Sequence, residues 1–235
     1  MGGILLVDKP LGLSSAGAVG RLRRRLPDVR VGHGGTLDPL ATGLLVLLLG
    51  SATKLSGAVA GGDKTYGTTV RFGFSTAGDD GEGRPTGYGH FPWLAEGQVE
   101  GALRSFLGKR LQRPPAFCAK KIRGVAAYRL ARRGMAAPGE PEPITVHAIE
   151  NVRWSAPLLS FTVRCSKGTY VRSLARDLGE ALACPAHLHA LRRTHSGPFS
   201  LSSARPLAEW ESLPLEELLA AAEETEAQFL PTLKN

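Results

Sequence analysis

The sequence is poor in cysteine, in aromatic residues and in long apolar runs. Its three cysteines, Cys118, Cys165 and Cys184, are widely spaced and odd in number. No disulfide framework is implied, and the default reading is of small buried hydrophobes. The longest apolar runs, such as "LLVLLLG" (44–50), are far too short to cross a bilayer. The N-terminus "MGGILLVDKP" lacks a basic n-region, a long apolar core and a small-residue cleavage site. Leu6 stands where a myristoylation motif wants Ser or Thr. Neither H-E-x-x-H nor G-x-S-x-G occurs. "CPAHLHALRRTH" (184–195) carries Cys184, His187, His189 and His195, at a spacing that matches no common zinc pattern. These absences point to a soluble, cytoplasmic protein with no membrane association and no bound metal.

What is present is enough apolar residue to build a core and an uneven charge. Hydrophobic residues make up 43% of the 235, which argues against wholesale disorder. Residues 1–205 hold 28 Lys/Arg against 14 Asp/Glu, a net of +14. Residues 206–235 hold one Lys and seven Glu, a net of −6. A body this basic suggests a polyanion partner, against the alternative of a solvated surface kept for solubility. Residues 104–134 contain ten Lys/Arg and no acid.

"ILLVDKP" reads as a short strand ended by Pro10. "SSAGAVGRLRRRL" (14–26) reads as a helix capped by Ser14 or Ser15, with Val19, Leu22 and Leu26 on one face. "TYGTTVRFGF" (65–74) and "LLSFTVRCS" (158–166) alternate as half-buried strands, and "STAGDDGEGRPTG" is a loop by composition. "VEGALRSFLG" (99–108) looks helical. Thr169 is a candidate cap for a helix whose inner face is Val171, Leu174, Ala175, Leu178 and Leu182. Strands and helices interleave without βαβ regularity. The expectation is an α+β fold, a mixed, largely antiparallel sheet with flanking helices. The acidic end reads as one or two short surface helices with a solvated charged face.

Two glycine-rich stretches remain. "GAVAGGDKT" (57–65) comes close to a phosphate-binding loop, but Asp63 intrudes before Lys64 and puts a carboxylate where phosphate would sit. "VGHGGTLDPLATGLL" (31–45) sets Asp38 between a glycine cluster and Pro39. An Asp in such company is commonly a turn former. It also suits a carboxylate presented from a rigid base, because Pro39 biases Asp38 towards extended backbone and the glycines admit a close ligand.

Its neighbours bear on that choice. "GHGGTLDPLATG" (32–43) resembles the G-H-x-G-x-L-D-P-x-A-x-G segment of the TruB family of tRNA pseudouridine synthases, where the Asp is catalytic. "LLVDKPLGLSS", "KTY" (64–66), "PPAFCAKKIRGVAAYRLARRG" (114–134), "CSKGTYVRSLARDLG" (165–179) and "LRRTHSGPF" (191–199) resemble further family segments in the same order. Cys118 replaces the family's usual serine. Ala77 in "TAGDD" replaces the first Asp of a T-D-T-x-D segment, leaving Asp80 as the clear match.

The resemblance implies a pseudouridine synthase catalytic domain over 1–205 and an acidic helical extension over 206–235, without the RNA-binding PUA domain of many bacterial members. It implies isomerisation of uridine 55 in the T loop of tRNA, with the nucleotide flipped out. It assigns catalysis to Asp38, Tyr66 and Arg172, with Asp38 attacking either the sugar or the base, Tyr66 stacking on the target base and Arg172 pairing with Asp38. His33 would hold the flipped nucleotide, and Tyr170 and Leu191 would wall the pocket. Lys9, Lys64, Lys120, Lys121, Arg123 and Arg132 are the candidate substrate contacts, with Arg129 and Arg133 in the same basic run. The reaction transfers no electrons to a carrier, so no cofactor is expected. The expected partner is the T stem-loop of tRNA, met by a monomer with no obligate protein partner. The rival reading is a non-catalytic tRNA-binding or tRNA-folding module, which would not need Asp38, Tyr66 and Arg172 together. A small-molecule nucleotide binder is a third reading and rests only on "GAVAGGDKT".

Overall fold

The run 44–50 is apolar on every residue because the strand that contains it, Ala41–Gly50, is covered on both faces. The computed structural model describes residues 2–89, 94–118, 121–122, 125–126 and 139–234. The chain forms two compact units, residues 1–66 with 191–235 and residues 67–190.

In the first unit, Gly2–Lys9 runs antiparallel to Ala41–Gly50, from Gly2 opposite Gly50 to Lys9 opposite Gly43. Val31–His33 pairs antiparallel with the same strand at Leu47–Leu49. Leu191–Arg193 adds in parallel beside Ala41–Gly43. Ile4, Leu6, Leu44, Val46, Leu48, Ala52, Val59 and Phe199 form one buried cluster, with Phe229 and Leu233 packed against it. The expected helix spans Ser15–Arg25, and the Ser14 hydroxyl accepts from Gly17 N at 3.0 Å. Val19, Leu22 and Leu26 are buried as its periodicity requires.

The acidic end is helical with exposed glutamates, as expected, but it is longer and more deeply packed than one or two short surface helices. It forms helices over Leu207–Ser212 and Leu215–Lys234, and the second is 20 residues long. Trp210, Leu218 and Ala222 are buried, and the Trp210 indole donates to Leu6 O at 3.0 Å. Gly3 permits the close approach: a Cβ there would lie 2.6 Å from the Ala222 Cβ. Among the described residues, no helix is long and apolar enough to cross a membrane.

In the second unit, Glu142–Ser155 pairs antiparallel with both Leu158–Cys165 and Gly108–Gln112. Helices Glu96–Arg104 and Val171–Ala181 flank these strands. The mixed, largely antiparallel sheet with flanking helices is therefore as expected. Two local readings are corrected. "STAGDDGEGRPTG" is not wholly loop, since Phe74–Thr76 and Pro85–Tyr88 pair as a short ribbon around its turn. Thr169 does not cap its helix, which starts at Val171 with Tyr170 as the N-cap residue. The Thr169 hydroxyl instead donates to Ser166 O at 2.9 Å, closing the preceding turn.

If the acidic end belongs to the core, Trp210→Ala should destabilise the protein by about 3–5 kcal/mol. Urea unfolding of the two proteins measures this. A change below about 1 kcal/mol would return these helices to the status of surface decoration.

Candidate active site

Asp38 lies in a segment without strand pairing, between the Val31–His33 and Ala41–Gly50 strands. Such a loop must find partners for its backbone elsewhere, and here buried side chains supply several. The Ser15 hydroxyl donates to Leu37 O at 3.0 Å and accepts from Leu37 N at 2.7 Å. Ser15 is 1% exposed and opens the helix that Ser14 caps, so the "SS" pair divides two tasks. Arg193, also 1% exposed, donates from Nη2 to Gly35 O (3.2 Å), from Nη1 to Thr36 O (3.3 Å) and from Nε to Leu44 O (2.7 Å). Backbone contacts complete the frame, with Ala41 N donating to Asp38 O and Gly12 N to Pro39 O. Asp38 itself is half-buried, held at the end of a buried Leu37.

Lys9 and Lys64 require a correction. Both were expected to meet phosphate, and both are buried. Lys9 Nζ donates to Pro10 O (2.8 Å) and Leu13 O (2.6 Å), tying the turn that leads into Ser14 and Ser15. Lys64 Nζ donates to Ala60 O and Gly62 O, both at 2.5 Å. These ammonium groups hold backbone, and a surface phosphate cannot reach them in this arrangement. The order of elements also disposes of the phosphate-loop reading: the short helix Ser56–Gly61 precedes the Lys64–Phe72 strand, whereas that motif runs strand, loop, helix.

His33 ends its strand half-buried, and Gly35 N donates towards its Nδ1 at 3.4 Å. Burial, and then the nearby Arg193 charge, lower its pKa below the usual 6.5. The ring is therefore neutral near pH 7. Tyr66 is buried on the Lys64–Phe72 strand, and Leu191 is buried beside Ala41.

In the second unit, Arg172 is buried at the start of the Val171–Ala181 helix. It donates from Nη1 to Gly78 O (3.2 Å) and from Nη2 to Phe117 O (2.9 Å), and Nη1 lies 3.5 Å from Asp80 Oδ2. Asp80 is itself buried and accepts from Glu82 N. Asp79, at φ 59°, bonds Arg176 Nη1 at 3.0 Å. Burial raises the Asp79 pKa, and Arg176 opposes the rise. Ala77, the departure from the family pattern, contributes its amide to Arg84 O. Gln112 grips Tyr170, two residues before Arg172, accepting from Tyr170 N (2.8 Å) and donating to Tyr170 O (3.1 Å). Burial, together with the Cys118 side chain, raises the Tyr170 phenol well above its usual range.

The basic run is less free than its sequence suggests. Arg104 pairs with Glu100, Arg110 lies over the Phe106 ring at 3.7 Å and near Asp177, and Arg113 pairs with Glu180. Lys120, Arg123, Arg129, Arg132 and Arg133 lie outside the described residues, as does the side chain of Lys121. Among the described residues no cluster of His, Cys, Asp and Glu suits a metal. The three cysteines are free and buried, as their scarcity suggested.

Sequence reasoning gave no role to Gln112 or Arg193, and read Ser15 only as an alternative cap to Ser14. Arg193 had a signal: in "LRRT" on a strand the two arginines must point oppositely. Arg192 goes outward to Asp8 (2.7 Å), so Arg193 goes inward.

Comparison with known proteins agrees with this reading. The family model for the N-terminal domain of TruB family pseudouridylate synthase matches residues 23–171, and that for the tRNA pseudouridylate synthase B C-terminal domain matches 172–232. A tRNA pseudouridine synthase B of Opitutus terrae is 44% identical over 216 residues, covering 92% of this chain and 90% of that protein. One of Bordetella pertussis is 43% identical over 235 residues, covering 97% and 95%. A chain in the crystal structure of a Cbf5-Nop10-Gar1 complex superposes with a TM-score of 0.69 at 28% identity, over 89% of this chain and 53% of that longer one. The fold and the family segments thus define a pseudouridine synthase. The chain belongs to the TruB family.

The His33 ring should titrate below 6.5 when followed by NMR. Because the folded pKa is depressed, the contribution of this ring to stability is intact above pH 6.5. It is lost as pH falls from there through the folded value. A ring pKa at or above 6.5 would contradict the burial described.

Proposed function

We propose that the protein isomerises uridine 55 in the T loop of tRNA to pseudouridine, with Asp38 as the catalytic carboxylate. The observation that carries the proposal is the loop of Asp38: a family segment whose backbone is held by the buried Ser15 and Arg193. A carboxylate so held needs little reorganisation to meet a reacting group. The N1–C1′ bond breaks, the base turns, C5 bonds to C1′, the C5 proton leaves and the freed N1 takes up a proton, so atoms and charge balance. Attack of Asp38 on the sugar and attack on the base both use the same oxygen atoms as nucleophile.

The remaining roles follow the family segments. Arg172 is assigned as the cation of that carboxylate, Tyr66 as the stacking and proton-handling partner of the base, and His33 as the support of the flipped nucleotide. A neutral imidazole suits that last role, since it offers both a donor and an acceptor. Tyr170 and Leu191 are assigned to the pocket wall. Extruding the nucleotide costs about a few kcal/mol, which phosphate contacts offset. We assign those contacts to surface cations of the basic 1–205 body rather than to Lys9 and Lys64. The isomerisation balances without an external oxidant or reductant, so we assign no cofactor. We take the working form to be a monomer acting on tRNA in the cytoplasm.

Asp38→Asn should lose turnover by at least about a thousandfold in single-turnover assays, because an amide is a far weaker nucleophile. Its tRNA affinity should stay within about threefold, since phosphate contacts dominate binding. Activity near wild type would remove Asp38 from catalysis.

A T-arm hairpin should react with a kcat/KM within about tenfold of full tRNA. Affinity for both should fall steeply with salt. Initial rates at two salt concentrations test this. A preference for full tRNA by orders of magnitude would place essential contacts outside the T arm.

A further inference from the structure

We infer that Arg193 is a positioning residue for the reaction, fixing the backbone that carries Asp38. The inference rests on the reading of Asp38 as the catalytic carboxylate. Arg193 touches the segment on both sides of that residue. Nη1 and Nη2 hold Thr36 O and Gly35 O before it, and Nε holds Leu44 O after it. One planar group therefore sets the spacing between the loop's entry and its exit. Guanidinium is suited to this because its donors point in fixed, divergent directions, and a lysine ammonium cannot reproduce the fork.

The energetics point the same way. A fully buried cation is costly, and an apolar side chain of similar volume is commonly at least as stabilising. Among the described residues no carboxylate lies within ion-pair distance of Arg193, and its donors go to main-chain carbonyls. The charge is kept where stability alone would not ask for it. The chain also makes room for it. Gly43 sits at φ +94°, and a Cβ there would lie 2.4 Å from Arg193 O, so the strand reaches the arginine only with glycine at that point. The effect of the charge reaches the same loop at His33, whose ring it helps to keep neutral.

The test compares wild type, Arg193→Met and Arg193→Lys by three readouts on the full chain. These are single-turnover rate at saturating enzyme, tRNA affinity, and hydrogen exchange of the segment 31–45. Arg193→Met should lose about a hundredfold in rate, in keeping with a reacting group displaced by about an ångström. Its tRNA affinity should stay within about threefold. Amides of the 31–45 segment should exchange faster, while those of the Gly2–Lys9 strand remain protected. Arg193→Lys should fall between, holding part of the fork. If Arg193→Met does not fold, Arg193→Lys carries the same comparison, since it keeps the charge. A rate within about threefold of wild type would overturn the inference, as would a rate loss matched by an equal loss of affinity or by loosening of the whole unit. Asp38→Asn, assayed alongside, separates the two readings. If it is active, the catalytic role of Asp38 fails, and the exchange of 31–45 in Arg193→Met alone decides whether Arg193 organises the loop.

Discussion

A loop that presents a carboxylate has no strand ladder to satisfy its backbone, so its carbonyls and amides must be met by something buried and rigid. In this protein that duty falls to Ser15 and Arg193, and behind them to Lys9, whose ammonium closes the turn before the Ser15 helix. Each of these polar groups is removed from water and would be destabilising if left unpaired. Each is satisfied by main chain of the same unit. The cluster of Ile4, Leu6, Leu44, Val46 and Leu48 supplies the apolar surroundings in which these bonds are strong. The C-terminal helices extend that core, which is why an acidic segment with no part in the chemistry is needed by the unit that carries Asp38.

Much of this was legible in the sequence where local chemistry decides the outcome. Ser14 is an N-cap because a hydroxyl before an apolar period of three to four has few other uses. The strands at 65–74 and 158–166 follow from alternation, and the buried 44–50 run follows from a strand covered on both faces. In-order motifs gave the family and its candidate carboxylate. What was not legible depends on partners distant in the chain. Lys9 and Lys64 were read as substrate contacts, yet their ammonium groups donate to carbonyls of their own turns. The 104–134 run looked free of acids, yet Asp177 and Glu180 come to it from a helix some 70 residues on. Thr169 looked like a cap, but the Ser166 carbonyl competes for its hydroxyl. The acidic end looked solvated because of its net charge of −6, yet the apolar residues that face inward, Trp210, Leu218 and Ala222 among them, decide its placement.

The same principle shapes the second unit. Arg172 is fixed by Gly78 O, Phe117 O and Asp80, and Tyr170, at the head of the same helix, by Gln112. The side chains we assign to catalysis thus rest on supports that a motif does not display, because supporting groups are recognised by geometry and not by spacing. Substitution of Ala77 for the family's acid leaves the Asp80 contact to Arg172 in place, which fits a member that keeps the family's chemistry.

The central claim is that this rigidly held carboxylate serves pseudouridine formation at one position of tRNA. The most direct measurement is tritium release from a tRNA transcript carrying [5-³H]uridine, beside a transcript with cytidine at position 55. The account predicts release rising to about one equivalent per tRNA from the first, because C5 of the target base must lose its hydrogen, and none from the second. No release from the first transcript, or equal release from both, would contradict it.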